Sequence, residues 1–451
     1  MISLLENISF KERGYIMFTK EFITTLLNVA RDDIKEAKCT IINDTAYYDV
    51  TLIRKSLYCP FCGEKMIGHG KITRHINHPV LRNHKGIIRY HANRYICKIC
   101  RKTTLEQNPF SLPNYNSSFF LIQTAMDLLS NLNYNLEMVS DQLNISKTQL
   151  NRYIDSYITI PRRRLPESLG IDEIHNKYLT KRNSSYLCVL VDNNDNNLYD
   201  ILDSRSKMNL SQYFSSFTRE ERKNVKFVTI DMWRPYKDVA TTYFPNAIIA
   251  VDPFHVVKHL VKGFDELRIK LMNNCEYNSN GYYLLKKWNW LLLKNNVDWD
   301  NTPRYNKRFN RRLNHRDIRD MIFDNFPELK VAYDLKTEYQ YFNKIGTYEE
   351  AEFVIPDFER KFKNANITEY REFTNILSEW TKEIINSFKR PYENKKLSNS
   401  FTENINGRLR VYFSISKGIG NFQRFRKRVI FALNKEVNYS LKKALKSELT
   451  P

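Results

Sequence analysis

Residues 225–260, VKFVTIDMWRPYKDVATTYFPNAIIAVDPFHVVKHL, restrict the possible folds more than any other stretch. The apolar run Val225–Ile230 ends on Asp231, and the run Ala247–Val251 ends on Asp252. Both runs are short, rich in β-branched residues and bounded by polar or turn residues, the pattern of buried parallel strands. Between them, Arg234–Phe244 is long enough for the crossover helix that parallel strands require. A carboxylate at the C-terminal end of a parallel strand sits where α/β sheets hold their ligands. Asp231 and Asp252 are therefore candidate site residues.

Upstream, Leu169–Asn176, Ser184–Asp192 and Asn197–Ser204 read as three further strands, followed by a helix at Asn209–Phe217. The loop Asp192–Asn197 makes the second connection a hairpin; it lacks the glycine and terminal Glu of a calcium loop and reads as a turn. An antiparallel meander followed by two parallel strands is the ribonuclease H-like topology, so the expected class is α/β with that core over about residues 167–435. A mostly helical stretch, about 276–395, interrupts it as an insertion. Strand alternation predicts that Asp172 and Glu173 face opposite ways, leaving one of them for the site.

Two Cys-x-x-Cys pairs, Cys59/Cys62 and Cys97/Cys100, lie within residues 56–110. Each pair aims two thiolates at one point, and together they complete a tetrahedral four-sulfur zinc site. The 34 residues between Cys62 and Cys97 must return as a β-ribbon, and alternation in Gly86–Ile96 supports a strand there. His69, His75, His78, His84 and His91 share the segment; with four thiolates filling the site, they are expected at the surface or facing nucleic acid. An odd total of seven cysteines fits metal binding in a reducing compartment better than disulfides. Residues 1–55 give mixed helix and strand signals and little chemistry.

Residues 117–160 turn helical. Leu136–Leu143, the turn Asn144-Ile145-Ser146 and Lys147–Ile158 fit a helix-turn-helix, with Ser146 as N-cap of the second helix. Lys147, Gln149, Asn151 and Arg152 lie near that helix's start, where a recognition helix meets base edges; the same pattern also describes an ordinary pair of antiparallel helices. The chain carries 71 Lys and Arg against 50 Asp and Glu, a formal charge of +21, which attracts polyanions. Arg304, Lys307, Arg308, Arg311, Arg312, Arg316 and Arg319 crowd sixteen residues, with six of them ahead of the first acid, Asp317. They predict a phosphate-contacting helix. Arg424 and Arg428 extend the basic set near the C-terminus. No window approaches the roughly 18 apolar residues of a membrane span. The first residues lack the pattern of a secretory signal. A cytoplasmic, nucleoid-associated protein with no membrane partner is expected.

Two divalent cations roughly 4 Å apart can run phosphodiester cleavage and strand transfer, and hard ions such as Mg2+ or Mn2+ take carboxylate oxygens. Asp172, one strand-end acid and Glu403 on a later helix would make such a cage. Alone, Glu403 reads as a helix-surface residue, with Asn406 and Arg410 on the same face.

The combination of the paired Cys-x-x-Cys, Gly170-Ile-Asp172-Glu173, Asp231-Met-Trp-Arg-Pro-Tyr236 … Asp252-Pro-Phe-His255 and Glu403-Asn-Ile-Asn406 … Gly420-Asn-Phe422 … Arg428 resembles the ISL-three family of DDE insertion-sequence transposases. The likeness runs from about residue 59 to 430. It implies a DNA transposase that uses two Mg2+ or Mn2+ ions to cleave and join strands. Asp172, Asp231 and Glu403 would be the catalytic metal ligands, with Asp252, His255 and Asn406 in support. It also implies that the ribbon and helix-turn-helix recognise terminal inverted repeats in double-stranded DNA, and that the protein works as a homo-oligomer. Many relatives have Glu-Gly where this chain has Glu403-Asn404. A DNA-binding regulator using the fold only for assembly, or a ribonuclease H-like nuclease that does not join strands, are the alternatives.

Overall fold

A computed structural model describes residues 10–11, 15–16, 27, 29–81, 84–175, 185–294, 296–392, 395–416 and 420–441. The chain divides into two compact units, one of Met1–Arg162 with Gly407–Pro451 and the other of Arg163–Asn406.

In the first unit, β1 (Ile34–Ile42) and β2 (Thr45–Leu52) form a hairpin turned by Asn43 and Asp44, both with positive φ. β3 (Ile67–Leu81) and β4 (His84–Ile96) form the long ribbon expected between the cysteine pairs, registered from Ile67↔Ile96 to Leu81↔His84. β2 pairs in parallel with β4, giving the order β1-β2-β4-β3, and β5 (Thr103–Leu105) adds to β4. Residues 34–52 are thus part of the ribbon's sheet. Tyr48, Val50, Ile76, Ile88 and Tyr90 make its core. His78 is in this core, 3% exposed, and not at the surface as expected. Its Nδ1 lies 3.0 Å from Ser118 Oγ, its ring packs edge-on to Tyr48 and Phe120, and burial lowers its pKa to about 4.

Three helices follow: α1 (Phe119–Leu129), α2 (Leu136–Leu143) and α3 (Lys147–Tyr157). Ser118, Asn135 and Ser146 each cap a helix by accepting a backbone N–H. Asn144 ends α2 in the left-handed region, at φ +51°, which an Asn tolerates better than most residues. Leu150, Tyr153, Ile154 and Tyr157 form the buried stripe of α3, leaving Lys147 and Arg152 outward.

The second unit is built on β6 (Ser168–His175), β7 (Tyr186–Asp192), β8 (Asn197–Leu202), α4 (Lys207–Ser215), β9 (Phe227–Ile230), α5 (Arg234–Tyr243), β10 (Ile248–Val251) and α6 (Pro253–Asn274). The sheet order is β8-β7-β6-β9-β10, antiparallel across the first three strands and parallel across the last three. Leu169, Ile171, Leu190, Val228, Ile230 and Val251 from the sheet share one continuous core with Leu210, Phe214, Tyr236 and Val239 from α4 and α5. That core runs on into the helices between residues 253 and 388, through Phe264, Leu267, Ile355 and Phe373.

The Arg-rich stretch corrects an expectation. It begins as a β-hairpin, β11 (Arg304–Asn306) with β12 (Arg311–Leu313), turned through Asn310 at φ +51°; a helix starts only at His315. Two last helices, α7 (Ser400–Ser416) and α8 (Phe422–Leu433), complete the chain.

Candidate active site

Parallel strands that stop together leave their next residues at one edge, and Asp231 and Asp252 each directly follow such a strand. Asp172 lies on the neighbouring β6, opposite Val189 of β7. Carboxylate oxygens of Asp172, Glu173 and Asp231 come within 4.8 Å of one another. On its other side Asp172 forms a second such group with Glu403 and His255. Asp172 belongs to both groups, so the predicted trio Asp172, Asp231 and Glu403 is brought together around it.

Glu173 differs from the alternation argument. β9 pairs with β6 only as far as Thr229↔Gly170 and ends at Ile230. Beyond that point β6 is paired only with β7 and its β9 side is open, so a Glu stem is long enough to reach round that edge. The Glu173 carboxylate is held by Arg205, whose guanidinium lies 4.0 Å from the Tyr186 ring and 4.5 Å from that of Trp233.

Two asparagines fix the frame. Asn399, 1% exposed, donates its side-chain N–H groups to Ile171 O (3.1 Å) and Thr229 O (3.3 Å), so it ties β6 to β9 where their ladder ends. Its own carbonyl accepts from Glu403 N, which sets the first turn of α7. Gly170 makes room for this: a Cβ there would lie 2.8 Å from Asn399 Oδ1 and 2.5 Å from Val191 Cγ2. One helical turn after Glu403, Asn406 Nδ2 donates to Asp172 Oδ2 at 2.9 Å, while Asp172 Oδ1 accepts from Glu173 N at 2.8 Å. Asn406 was legible in the sequence as sharing a helix face with Glu403. Asn399 was not, because its partners are backbone carbonyls far away in the chain.

Burial raises the Asp172 carboxyl to about 7, with Glu173, Glu403 and Asp252 adding repulsion against the stabilising N–H of Glu173. Asp231 is raised to about 8, first by burial and then by Glu173 and Asp172. Asp252, 1% exposed, is also raised by burial; it caps α6, its Oδ1 accepting from Phe254 N. Five carboxylates thus crowd a buried edge beside one guanidinium and one imidazole. That charge excess, made of hard oxygen donors, fits divalent cations.

The four cysteines form a second centre. Cys59 and Cys100 sulfurs are 3.5 Å apart, Cys62 and Cys97 3.4 Å, and Cys62 and Cys100 3.7 Å. A tetrahedron with zinc–sulfur bonds of about 2.3 Å needs sulfur separations of about 3.8 Å, so the cluster fits zinc. Gly63 at φ +74° and Arg101 at φ +57° turn the two knuckles, their N–H groups bonding to Cys59 O and Cys97 O. Backbone N–H donors, led by that of Phe61, lower the Cys59 thiol to about 7, while its sulfur neighbours hold the Cys62 thiol up at about 12.

A sequence model of DDE transposases of the ISL3 (ISL-three) type, described as "Transposase", matches residues 169–429, more than half of the chain. The chain belongs to this family. It is similar to the transposase for insertion sequence element IS1557 of Mycobacterium tuberculosis, at 32% identity over 107 residues, 24% of this chain and 23% of that protein. It is also similar to the transposase for insertion sequence element IS1001 of Bordetella parapertussis, at 27% identity over 135 residues, 30% of this chain and 32% of that one. The matched stretch therefore spans about a quarter to a third of these relatives. The family match covers Asp172, Glu173, Asp231, Asp252 and Glu403 and leaves the cysteine centre outside it.

The basic residues divide by environment. Lys147 pairs with Glu137 at 2.7 Å and Arg424 with Asp155 at 2.7 Å, both as exposed pairs that a polyanion can replace at little cost. Arg152, Arg311 and Arg312 are exposed; Gln149 and Asn151 are half-buried. Arg308 is committed internally, bonding to Asn278 and to Asn280 Oδ1 (2.8 Å). Arg428 corrects an expectation: it is 1% exposed, and its guanidinium donates to the carbonyls of Leu129, Asn131 and Tyr134 and to Tyr412 OH. A buried cation that closes four acceptors is a structural tie and does not face DNA. His259 Nδ1 lies 2.9 Å from Glu372, while His255 faces the acids. Among the described residues no helix is long and apolar enough to cross a membrane.

Proposed function

We propose that this ISL3 transposase binds the terminal inverted repeats of an insertion sequence and cleaves and rejoins DNA strands at an active site of Asp172, Asp231 and Glu403. The observation that carries this is the convergence of those three carboxylates, from segments far apart in the chain, around the shared Asp172. The sheet order supports a ribonuclease H-like core. In the domain scheme that goes with this reading, residues 1–55 are an N-terminal segment whose strands at 34–52 join the sheet of a zinc ribbon at 56–110, 117–160 is a helix-turn-helix, and 167–435 a catalytic region with its insertion at about 276–395. Lys147, Gln149, Asn151 and Arg152 would meet DNA from α3, joined by Arg311, Arg312 and Arg424.

Asp172, Glu173 and Asp231 would hold one divalent cation, and Asp172 with Glu403 the other. When bound, Mg2+ or Mn2+ activates the attacking oxygen and steadies the leaving oxygen of the phosphodiester. The chain's own contribution is orientation. Asn406 and the Glu173 N–H each fix one oxygen of Asp172, and Asn399 sets the turn from which Glu403 projects. Arg205 restrains Glu173 against repulsion from Asp231. Asp252, buried and serving as a cap, supports the edge from the next strand. Transposition implies paired ends, and a homo-oligomer on DNA goes with this reading.

The test is Asp231→Asn in a cleavage assay on element ends with a parallel binding assay. Binding should persist and cleavage should vanish. Retained cleavage would transfer the role to Asp252, and a wild-type protein that fails to join precleaved ends would be a simple nuclease.

A further inference from the structure

We propose that His255 is itself a cation ligand, so that the position between Asp172 and Glu403 offers an imidazole nitrogen together with carboxylate oxygens. The proposal rests on the two-cation reading above and adds a donor to it. His255 stands in the first turn of α6, immediately after β10. Its Nε2 lies 3.9 Å from Glu403 Oε1 and 4.0 Å from Asp252 Oδ2, and it belongs to the 4.8 Å group with Asp172 and Glu403.

Those gaps are informative. A histidine that only braced the site would donate to a carboxylate at about 2.7–3.2 Å. Two donors each about 2.1 Å from one octahedral ion stand about 3–4.2 Å apart instead. The His255 ring nitrogen has no hydrogen-bond partner although its side chain is only 20% exposed. Asp252 Oδ2, on a residue 1% exposed, faces the same nitrogen and is likewise unpartnered. Unpaired buried polar atoms call for a bound species, and here two of them meet beside Asp172 and Glu403. His259, one turn on, is engaged with Glu372 and offers nothing to the site.

An imidazole in the donor set shifts preference from Mg2+ toward Mn2+, since nitrogen suits the later metal while all-oxygen sites suit Mg2+. The experiment is electron spin-echo envelope modulation on the full-length, zinc-loaded protein with Mn2+ added, alongside calorimetric titration with Mn2+ and with Mg2+. The wild-type protein should show 14N coupling to Mn2+. His255→Asn should lose that coupling and weaken Mn2+ binding by about tenfold or more, with a smaller loss for Mg2+, while His259→Asn should keep both. Mn2+ bound without 14N coupling overturns the proposal and leaves the carboxylate site standing, as does coupling that survives His255→Asn. Absence of any Mn2+ binding by the wild-type protein overturns the two-cation reading as well. The wild-type spectrum decides the matter even if the variant fails to fold.

Discussion

Replacing Asp172 by Asn should stabilise the cation-free protein at alkaline pH while destroying its cation site. The Asp172 carboxyl moves from an ordinary 3.8 to about 7, chiefly through burial. A rise of about three units, at about 1.4 kcal/mol each, corresponds to about 4 kcal/mol as an upper bound. The folded chain holds this proton more tightly than the unfolded chain does. The associated stability is therefore complete below about pH 4 and is lost as pH rises through 7. An Asn at this position keeps the bond from Asn406 and gives up the one from Glu173 N, at a cost of about 1 kcal/mol. The variant should match the wild type within about 1 kcal/mol at pH 5 and exceed it by up to about 3 kcal/mol at pH 8. All five tryptophans (Trp233, Trp288, Trp290, Trp299 and Trp380) lie in the Arg163–Asn406 unit, so intrinsic fluorescence during urea unfolding reports on the right part of the chain. Added Mn2+ should raise the wild-type midpoint at pH 8 and leave that of the variant in place. A variant no more stable than wild type at pH 8 would refute the idea that these carboxylates are confined at an energetic cost.

Asn399→Ala leaves two buried carbonyls unpaired and should lower stability by about 2–4 kcal/mol in the same urea assay; cleavage should fall with it while binding to element ends stays intact. Gly170→Ala, which sets a methyl group against Asn399 and Val191, should reproduce that pattern more weakly. Cys62→Ser should reduce the bound zinc, measured by a colorimetric chelator after unfolding, from one ion per chain to none, and the thermal transition of the ribbon unit should fall.

Much of the frame was legible because its signals are local. The short β-branched runs ending on Asp231 and Asp252 became β9 and β10, and the two cysteine pairs closed on one point through a ribbon of the anticipated length. The cap Ser146 and the turn at Asn144 need only neighbouring residues to be read. What escaped depends on distant partners. Alternation placed Glu173 away from Asp172, but β9 stops at Ile230 and leaves that side of β6 open. The basic cluster of residues 304–319 was read as a helix from its charge, but the turn at Asn310 and the bonds from Arg308 to Asn278 and Asn280 make its first part a hairpin. Arg428 did leave a trace. Phe422, Phe425 and Val429 mark the buried stripe of α8, and Arg428 follows Phe425 by three positions and so falls within that stripe.

The choice of neutral orienting groups says what the site is built to receive. The two side chains that fix its geometry most directly, Asn399 and Asn406, donate hydrogen bonds and bring no charge. A lysine in place of Asn406 would neutralise Asp172 as well as bond to it, pulling its pKa down and weakening the attraction for a cation. Glu173 is given Arg205 as a cationic partner, and Arg205 is itself turned onto the rings of Tyr186 and Trp233. Asp172, Asp231, Glu403 and Asp252 keep their repulsion, which the core of the unit must bear in the absence of metal. A fold that needed these acids only for assembly would gain stability from losing them. Keeping them, oriented by amides, fits the cation-dependent chemistry proposed for this site.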